Sequence, residues 1–308
     1  MSGPRKSLTL AVTGGTGFVG QHLLRLAVAA GYDVRALTRG WKPPEDDIAW
    51  VDGTLDRAET LQKLASGADA VIHVAGVING SRSAFEAVNI AGTAAMIDAA
   101  RKAGVRRFIH ISSLAAREPH LSDYGRSKAR SERLVAASGL DWTIIRPPAI
   151  YGPGDRETLE LFRMARRGFV PLPPRGHFSI IHVEDLCRLV LAVIDEEDTN
   201  SEIYEPDDGQ ERGWQHRHFA RSLGEVLGRR ATALPMPRKL LHGLSRLDRM
   251  VRRDRAKLTR DRVNYFCHPD WVVTAERRPP PALWLPEVET AEGLRATAEW
   301  YLSQGWLR

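Results

Sequence analysis

A glycine-rich loop directly after a short apolar run is the feature that most constrains this chain. Residues 8–12 predict a strand and residues 21–30 predict a helix. Glycines at such a junction allow a tight turn, a close backbone approach to a pyrophosphate and close packing of helix on strand. The N–H groups and positive dipole end of the helix favour an anion. The loop therefore predicts a dinucleotide-phosphate site made by Gly14, Thr16, Gly17, Phe18, Val19 and Gly20.

The chain up to residue 150 alternates apolar runs with helical segments. The runs begin near positions 8, 33, 70, 107 and 142, and glycines at 31, 104 and 139 end the helices between them. This alternation predicts right-handed βαβ units and an α/β fold with a doubly wound parallel sheet of the Rossmann type. We therefore predict a dinucleotide-binding core over residues 1–150.

Proline and glycine interrupt this rhythm after Tyr151. They cluster at 152–154 and 171–176, whereas 177–195 again contain a strand pattern and a helix pattern. A length of 308 residues is sufficient for two units. We predict a smaller, discontinuous C-terminal substrate lobe over 151–308, from which 177–195 return to the core.

The end of the second predicted strand indicates which nicotinamide cofactor is used. An acidic residue there would bind a ribose 2′-hydroxyl and repel a 2′-phosphate, but the sequence has Thr38 and Arg39. Threonine can donate a hydrogen bond, and arginine can pair with a phosphate in a forked geometry. The sequence therefore favours NADP, with NAD still possible.

Tyr124 and Lys128 are four residues apart in a predicted helix and share one of its faces. A nearby ammonium favours the phenolate and lowers the pKa of a tyrosine towards neutral pH. Ser113 ends a predicted strand at the edge where parallel sheets bind ligands. We predict a catalytic site of Ser113, Tyr124 and Lys128, in which the tyrosine exchanges a proton with a carbinol while hydride moves to or from nicotinamide.

Eight stretches form a set of motifs that covers nearly the whole chain. They are TGGTGFVG at 13–20, HVAG at 73–76, VNIAGT at 88–93, ISS at 111–113, YGRSK at 124–128, RPPAIYGPGD at 146–155, IIHVEDL at 180–186 and EGLRATAEWYLSQGWL at 292–307. Together they resemble the extended short-chain dehydrogenases/reductases, a family that contains nucleotide-sugar epimerases and dehydratases, 3β-hydroxysteroid dehydrogenases and dihydroflavonol-type reductases.

This resemblance implies a role for each candidate residue. Tyr124 would be the general acid/base, Lys128 its activator and a ribose ligand, and Ser113 the donor to the substrate oxygen. Further cofactor contacts are implied at Thr54, Leu55, Ala75, Gly76, Pro147 and Ile150. Thr54 stands where the family often has an aspartate that contacts adenine. The short loop between Ser113 and Tyr124 disfavours a sugar-nucleotide epimerase.

These features predict an NAD(P)-dependent oxidoreductase that acts on a small alcohol, ketone or aldehyde. One alternative is a nucleotide-sugar epimerase or dehydratase. Another is a non-catalytic NADPH-binding subunit, because the arginine-rich segment and YGRSK are also similar to the reductase-like accessory subunit of respiratory complex I. A scaffold has no need of all three of Ser113, Tyr124 and Lys128, which favours an enzyme.

Composition excludes several other classes. Two cysteines, Cys187 and Cys267, exclude a disulfide framework and fit a cytoplasmic protein. No apolar run reaches the roughly 20 residues of a membrane span. The histidines lack metal-ligand spacing, so we expect no metal. The net charge of +6 comes without a recognisable nucleic-acid module, so the expected partner is a small-molecule substrate and no nucleic acid.

Residues 238–253 predict a basic amphipathic helix, with leucines at 240, 241, 244 and 247 and several arginines. Such a helix can pack its apolar face on the lobe, or it can associate weakly with an anionic membrane surface. The sequence leaves both open, and it equally leaves open a homodimer.

Overall fold

The computed structural model describes residues 7–43, 47–173, 175–252 and 259–307, and its strands are short, as expected for an α/β fold. They are β1 (Thr9–Thr13), β2 (Asp33–Thr38), β3 (Ile48–Asp52), β4 (Ala70–His73), β5 (Arg107–Ile111), β6 (Asp141–Ile145), β7 (Ala149–Tyr151), β8 (Phe169–Leu172), β9 (His177–Phe178), β10 (Ile180–His182), β11 (Glu202–Tyr204), β12 (Trp214–Gln215), β13 (Thr232–Pro235) and β14 (Asp270–Trp271).

The helices connect these strands across the sheet and form much of the lobe. They are α1 (Phe18–Ala29), α2 (Ala58–Ala65), α3 (Arg82–Phe85), α4 (Gly92–Lys102), α5 (Asp123–Ala136), α6 (Leu159–Arg166), α7 (Val183–Ala192), α8 (His216–Val226), α9 (Arg238–Arg252), α10 (Arg260–Phe266) and α11 (Thr290–Ser303). A π-helical turn over Glu86–Ala91 separates α3 from α4.

Seven parallel strands form the central sheet in the order β11-β6-β5-β4-β1-β2-β3. Successive side chains in a strand point to opposite faces. Leu10 and Val12 of β1 therefore join the apolar cluster beneath α1 and α7, whereas Ala11 joins the cluster beneath α2 and α4. The sheet is covered on both faces, which confirms the doubly wound Rossmann-type fold.

The C-terminal lobe has its own apolar cluster. Its core includes Phe162 of α6, Phe219 of α8 and Tyr301 of α11, all essentially buried. β8 pairs with β13, and β9 lies between β12 and β14. Arg117, which follows β5, donates to the carbonyl of Val272 at 2.8 Å, so the lobe lies beside the carboxyl end of β5.

The return of the chain to the core extends past residue 195. Side chains between Ile181 and Ile194 pack in the cluster beneath α1, while the chain continues into β11. Tyr204 of β11 pairs with Ile145 of β6, so β11 is the edge strand of the central sheet. The boundary predicted at 195 is therefore too early by one strand.

Candidate active site

The glycine loop closes against the end of β4. Gly14 has a φ of +77°, and a Cβ on it would lie 2.6 Å from the backbone nitrogen of Ala75. A Cβ on Gly20 would lie 2.1 Å from the carbonyl oxygen of Gly14, so only glycine allows helix α1 to start this close to the loop. A side chain at Gly14 or Gly20 would clash with the backbone, so the glycine loop has room for a phosphate group only if both residues are glycine.

The first turn of α1 presents backbone N–H groups towards this cradle. Its N-cap residue, Gly17, supplies no side-chain cap, and Thr16 before it is exposed. The side chain of Phe18 packs edge-on against His22, and the carbonyl of Val19 accepts from the Cys187 thiol at 3.7 Å. Phe18 and Val19 therefore reach an anion only through their backbone, and the loop fits a dinucleotide pyrophosphate.

The end of β2 lies beside this loop. Thr38 is buried, and its hydroxyl donates to the carbonyl of Gly40 at 3.3 Å, whereas Arg39 is exposed. A cavity of about 440 Å³ opens next to it. Its lining includes Gly15, Thr16, Gln21, Arg25, Lys42 and Trp50. Lys42, which the sequence reasoning missed, sits over the Trp50 ring at 5.7 Å.

The contacts implied by resemblance surround the same edge of the sheet. Thr54 is hydrogen-bonded to Asp56, and Leu55 packs against Gly92 of α4. Pro147 is buried, and its carbonyl accepts from the backbone N–H of Leu114 at 2.9 Å, which fixes the chain just after Ser113. Ile150 packs on the apolar cluster beneath α1.

Gly76, in the segment after β4, lies against the candidate lysine, Lys128. A Cβ on Gly76 would lie 3.3 Å from Lys128 Nζ and 3.3 Å from Asn89 Oδ1. The neighbouring Ala75 donates its backbone N–H to the Thr13 hydroxyl at 3.3 Å. The segment after β4 is thus held between the glycine loop and α5.

The structure brings Ser113, Tyr124 and Lys128 together at the carboxyl end of β5. Ser122 caps α5 by accepting from the N–H of Gly125 at 2.9 Å, which sets the first turn that carries Tyr124. Lys128, one turn later, donates to the carbonyl of Ile111 at 2.8 Å. The Ser113 hydroxyl is hydrogen-bonded to Tyr124.

Burial controls the protonation of the two titratable groups. Desolvation lowers the pKa of Lys128 to about 8, and the nearby Glu132 opposes that shift. Burial also raises the pKa of Tyr124, which the Ser113 hydrogen bond only partly offsets. In the protein alone the pKa of Tyr124 is therefore raised and not lowered towards neutral pH as expected, because desolvation of the phenol is the largest effect.

Asn89 is a site residue that the sequence reasoning missed. Its Oδ1 accepts from the backbone N–H of Val77 at 2.8 Å, and its Nδ2 donates to Val77 O at 3.0 Å and to Ser127 Oγ at 2.9 Å. It lies in the π-helical turn and is buried. The VNIAGT motif contains this residue, but only the fold shows that it clamps the segment after Gly76 to α5.

Helix α10 and the end of α3 lie beside the candidate tyrosine. Asp261 accepts from the backbone N–H of Asp123 at 2.7 Å, and Tyr265 lies close enough to Tyr124 for the two phenols to interact electrostatically. The Phe85 ring centroid is 6.0 Å from that of Tyr124. The Trp271 ring centroid lies 4.6 Å from that of Tyr265, with the two rings tilted by 35°. The approach to Tyr124 is therefore lined by aromatic rings.

Two stacked histidines lie in the strands beside Lys128. His73 contacts the hydroxyls of Thr13 at 2.8 Å and Thr93 at 3.1 Å, and its ring is 5.5 Å from that of His110. Burial, together with the charge of Lys128, lowers the pKa of His73 to about 3 and that of His110 well below its usual value. Both are neutral core residues. Within the described ranges, no group of three or more His, Cys, Asp or Glu is placed to hold a metal.

The comparisons with known proteins agree with this geometry. A family model described as the NAD dependent epimerase/dehydratase family matches residues 10–205. The chain belongs to this family. It is 36% identical to the ceramide reductase of Caulobacter vibrioides over 311 residues, which cover 97% of this chain and 96% of that protein. It is 31% identical to sterol demethylase protein B of Methylococcus capsulatus over 301 residues, covering 84% and 86%.

Solved structures show the same fold. The crystal structure of gox2253 matches with a TM-score of 0.79 at 20% identity, covering 98% of this chain and 100% of that one. The expected fold, family and enzyme class are confirmed, and the protein is an NAD(P)-dependent enzyme of the extended short-chain dehydrogenase/reductase type. None of the described helices has the length and apolar content needed to span a bilayer.

Proposed function

We propose that this enzyme is an NADP-dependent reductase that interconverts a ketone and a secondary alcohol on a long-chain lipid. The observation that carries the reaction type is the meeting of Ser113, Tyr124 and Lys128 beside Gly76 at the carboxyl end of β5. The likeness to ceramide reductase over nearly the whole chain supports the lipid class, and so do the aromatic rings around Tyr124.

Tyr124, Ser113 and Lys128 each have a different role in proton transfer. A bound nicotinamide cofactor supplies or accepts the hydride. Tyr124 donates its phenolic proton to the substrate oxygen during reduction, and Ser113 holds that oxygen by a hydrogen bond. Lys128, with a pKa of about 8, is mostly an ammonium at neutral pH and stabilises the phenolate that remains. The proton must then be restored to Tyr124 before the next turnover.

The choice of NADP rests on the end of β2. Arg39 is exposed there, and Lys42 lines the cavity next to Thr16. Both cations can bind a 2′-phosphate. We expect Arg39→Ala to weaken NADP(H) binding by about 1.5–3 kcal/mol, the loss of a charged hydrogen bond, and to leave NAD(H) binding unchanged. Arg101→Ala on α4 is the matched control, and wild-type protein that binds NAD(H) as tightly as NADP(H) would refute the preference.

The substrate class is tested by NADPH oxidation. Detergent-dispersed ceramide with its secondary alcohol oxidised to a ketone is offered beside short-chain ketones and aldehydes, and ceramide itself is offered with NADP in the reverse direction. We expect the long-chain ketone to have the highest kcat/KM. Turnover of UDP-glucose without net NADPH oxidation, and none of the lipid, would favour the epimerase alternative and contradict the proposal.

We also propose a cytoplasmic location. Both cysteines, Cys187 and Cys267, are free thiols in the structure, as a reducing compartment favours. Cell fractionation tests this proposal, and recovery of the protein from an extracytoplasmic fraction would contradict it.

A further inference from the structure

Helix α9 turns an apolar face outwards. Leu240, Leu244, Leu247 and Met250 are 49%, 39%, 57% and 78% exposed, whereas Leu241 on the opposite side is only 6% exposed. At 100° per residue the four exposed side chains span an arc of about 120°. Arg253, the last residue of the helix predicted from sequence, lies outside the described residues. The described part of the stripe therefore faces away from the lobe.

Basic residues border this apolar arc. Lys239 and Arg246 are exposed. Helical spacing places Arg246 one turn from Met250, and it places Lys239 on the same side of the helix, about 16 Å from Met250 along the axis. Gly243 adds no side chain between them, and a Cβ there would meet no atom within 4 Å. An apolar face edged by long cationic side chains matches the boundary between acyl chains and anionic headgroups, where the aliphatic stems stay buried and the charges reach the phosphates.

The same helix is close to the candidate active site. Its inner side packs on α10, and Arg238 donates to Asn264 of α10 at 2.9 Å. Helix α10 in turn carries Asp261, which accepts from Asp123, and Tyr265, which faces Tyr124. Among the described elements, α10 thus contacts both α9 and the surroundings of Tyr124. A surface seated on α9 would therefore hold acyl chains next to the approach to Tyr124.

We propose that the outer face of α9 docks this enzyme on an anionic phospholipid membrane. Leu240, Leu244, Leu247 and Met250 enter the headgroup boundary, and Lys239 and Arg246 bind the anionic headgroups. Charge selects a membrane over a second copy of this chain, because packing two such faces together would bring their lysine and arginine side chains close to one another. The proposal goes beyond the reductase assignment, since it requires no particular substrate.

Vesicle co-sedimentation without substrate or cofactor tests the proposal. We expect binding to phosphatidylcholine vesicles rich in phosphatidylglycerol, weaker binding to pure phosphatidylcholine, and loss of binding at high salt. Lys239→Gln/Arg246→Gln should weaken binding to the anionic vesicles about 25-fold, from about fivefold per basic residue. Leu240→Ser/Leu244→Ser/Leu247→Ser should weaken it about tenfold per leucine.

Matched variants separate docking from folding. Leu285→Ser/Leu302→Ser removes two leucines that are 59% and 50% exposed elsewhere, and it should bind vesicles like the wild type. All these variants should keep the wild-type unfolding temperature, because the side chains are exposed. Absence of vesicle binding, or binding unaffected by salt and by the α9 variants, would overturn the proposal. So would a dimer in light scattering that the leucine variant converts to a monomer.

This outcome is independent of the proposed reaction. Activity on detergent-dispersed substrate reports the reductase, whereas sedimentation of the cofactor-free protein reports the docking face. If the enzyme is active but does not bind vesicles, only the docking proposal is refuted. If it binds vesicles but is inactive, only the proposed reductase function is refuted.

Discussion

Replacing Lys128 with methionine removes an ammonium that the fold holds away from water. Its pKa falls from 10.5 in a free lysine to about 8, a difference that corresponds to roughly 3 kcal/mol. This is the penalty that the folded protein carries at pH 7, where the group is charged in both states. The variant also loses the hydrogen bond from Nζ to Ile111, which contributes about 1 kcal/mol. We therefore expect Lys128→Met to raise the free energy of unfolding at pH 7 by about 2 kcal/mol.

The pH dependence gives the sharper test. Between pH 8 and 10.5 the unfolded chain keeps the proton that the folded protein has lost, so wild-type stability should rise with pH across this window. Urea unfolding of the cofactor-free proteins measures this, and the difference between wild type and Lys128→Met cancels every other titrating group. The difference should shrink from pH 8 to 10.5. A variant that is less stable at pH 7, with a difference that does not change with pH, would refute the reasoning.

Two further substitutions probe how the site is held. Glu132→Gln should destabilise the protein by about 3 kcal/mol in urea unfolding, because the buried Glu132 carboxylate accepts from Arg146 at 2.8 and 2.7 Å. The substitution should also lower the pKa of Lys128 further. An unchanged stability would contradict the ion pair between Glu132 and Arg146. Gly20→Ala should weaken cofactor binding at least tenfold in fluorescence titration, since its Cβ would lie 2.1 Å from Gly14 O. The control is Gly243→Ala, whose Cβ meets nothing within 4 Å and which should bind normally.

The core of the fold was predictable because its signals are local. The glycine loop is a short contiguous motif. The runs that form β1, β4 and β5 are almost entirely buried, as parallel strands covered on both faces must be. Strand β3 was missed because it is short, only Val51 in it is buried, and it follows a proline-containing segment. Strand β11 was missed because three residues give no period, and its pairing with β6 is a long-range contact.

The three catalytic candidates could be predicted from the sequence, because Tyr124 and Lys128 are one turn apart in one helix and Ser113 follows the end of a strand. Asn89 and Tyr265 were not found, since their relation to Tyr124 and Lys128 depends on how separate segments pack. The raised pKa of Tyr124 was missed for the same reason, because residue spacing gives proximity to Lys128 but not burial.

The orientation of α9 also lay beyond the sequence. The leucines show an apolar stripe, but Leu240, Leu241 and Leu244 could not be divided into inner and outer sides from spacing alone. In the structure α9 packs against α10, and Leu241 is buried whereas the other two are exposed. Which leucines of α9 are buried and which are exposed therefore depends on a tertiary contact, which residue spacing does not give.

The central claim is that Tyr124 transfers the proton of a carbonyl reduction. The most direct measurement is the kcat of Tyr124→Phe on the best ketone substrate, with NADPH affinity measured by titration on the same preparation. Phenylalanine keeps the ring beside Phe85 and removes only the acid, so kcat should fall by about 10²–10⁴-fold while NADPH binding changes little. A variant that turns over near the wild-type rate would contradict the assignment of Tyr124 and with it the proposed mechanism.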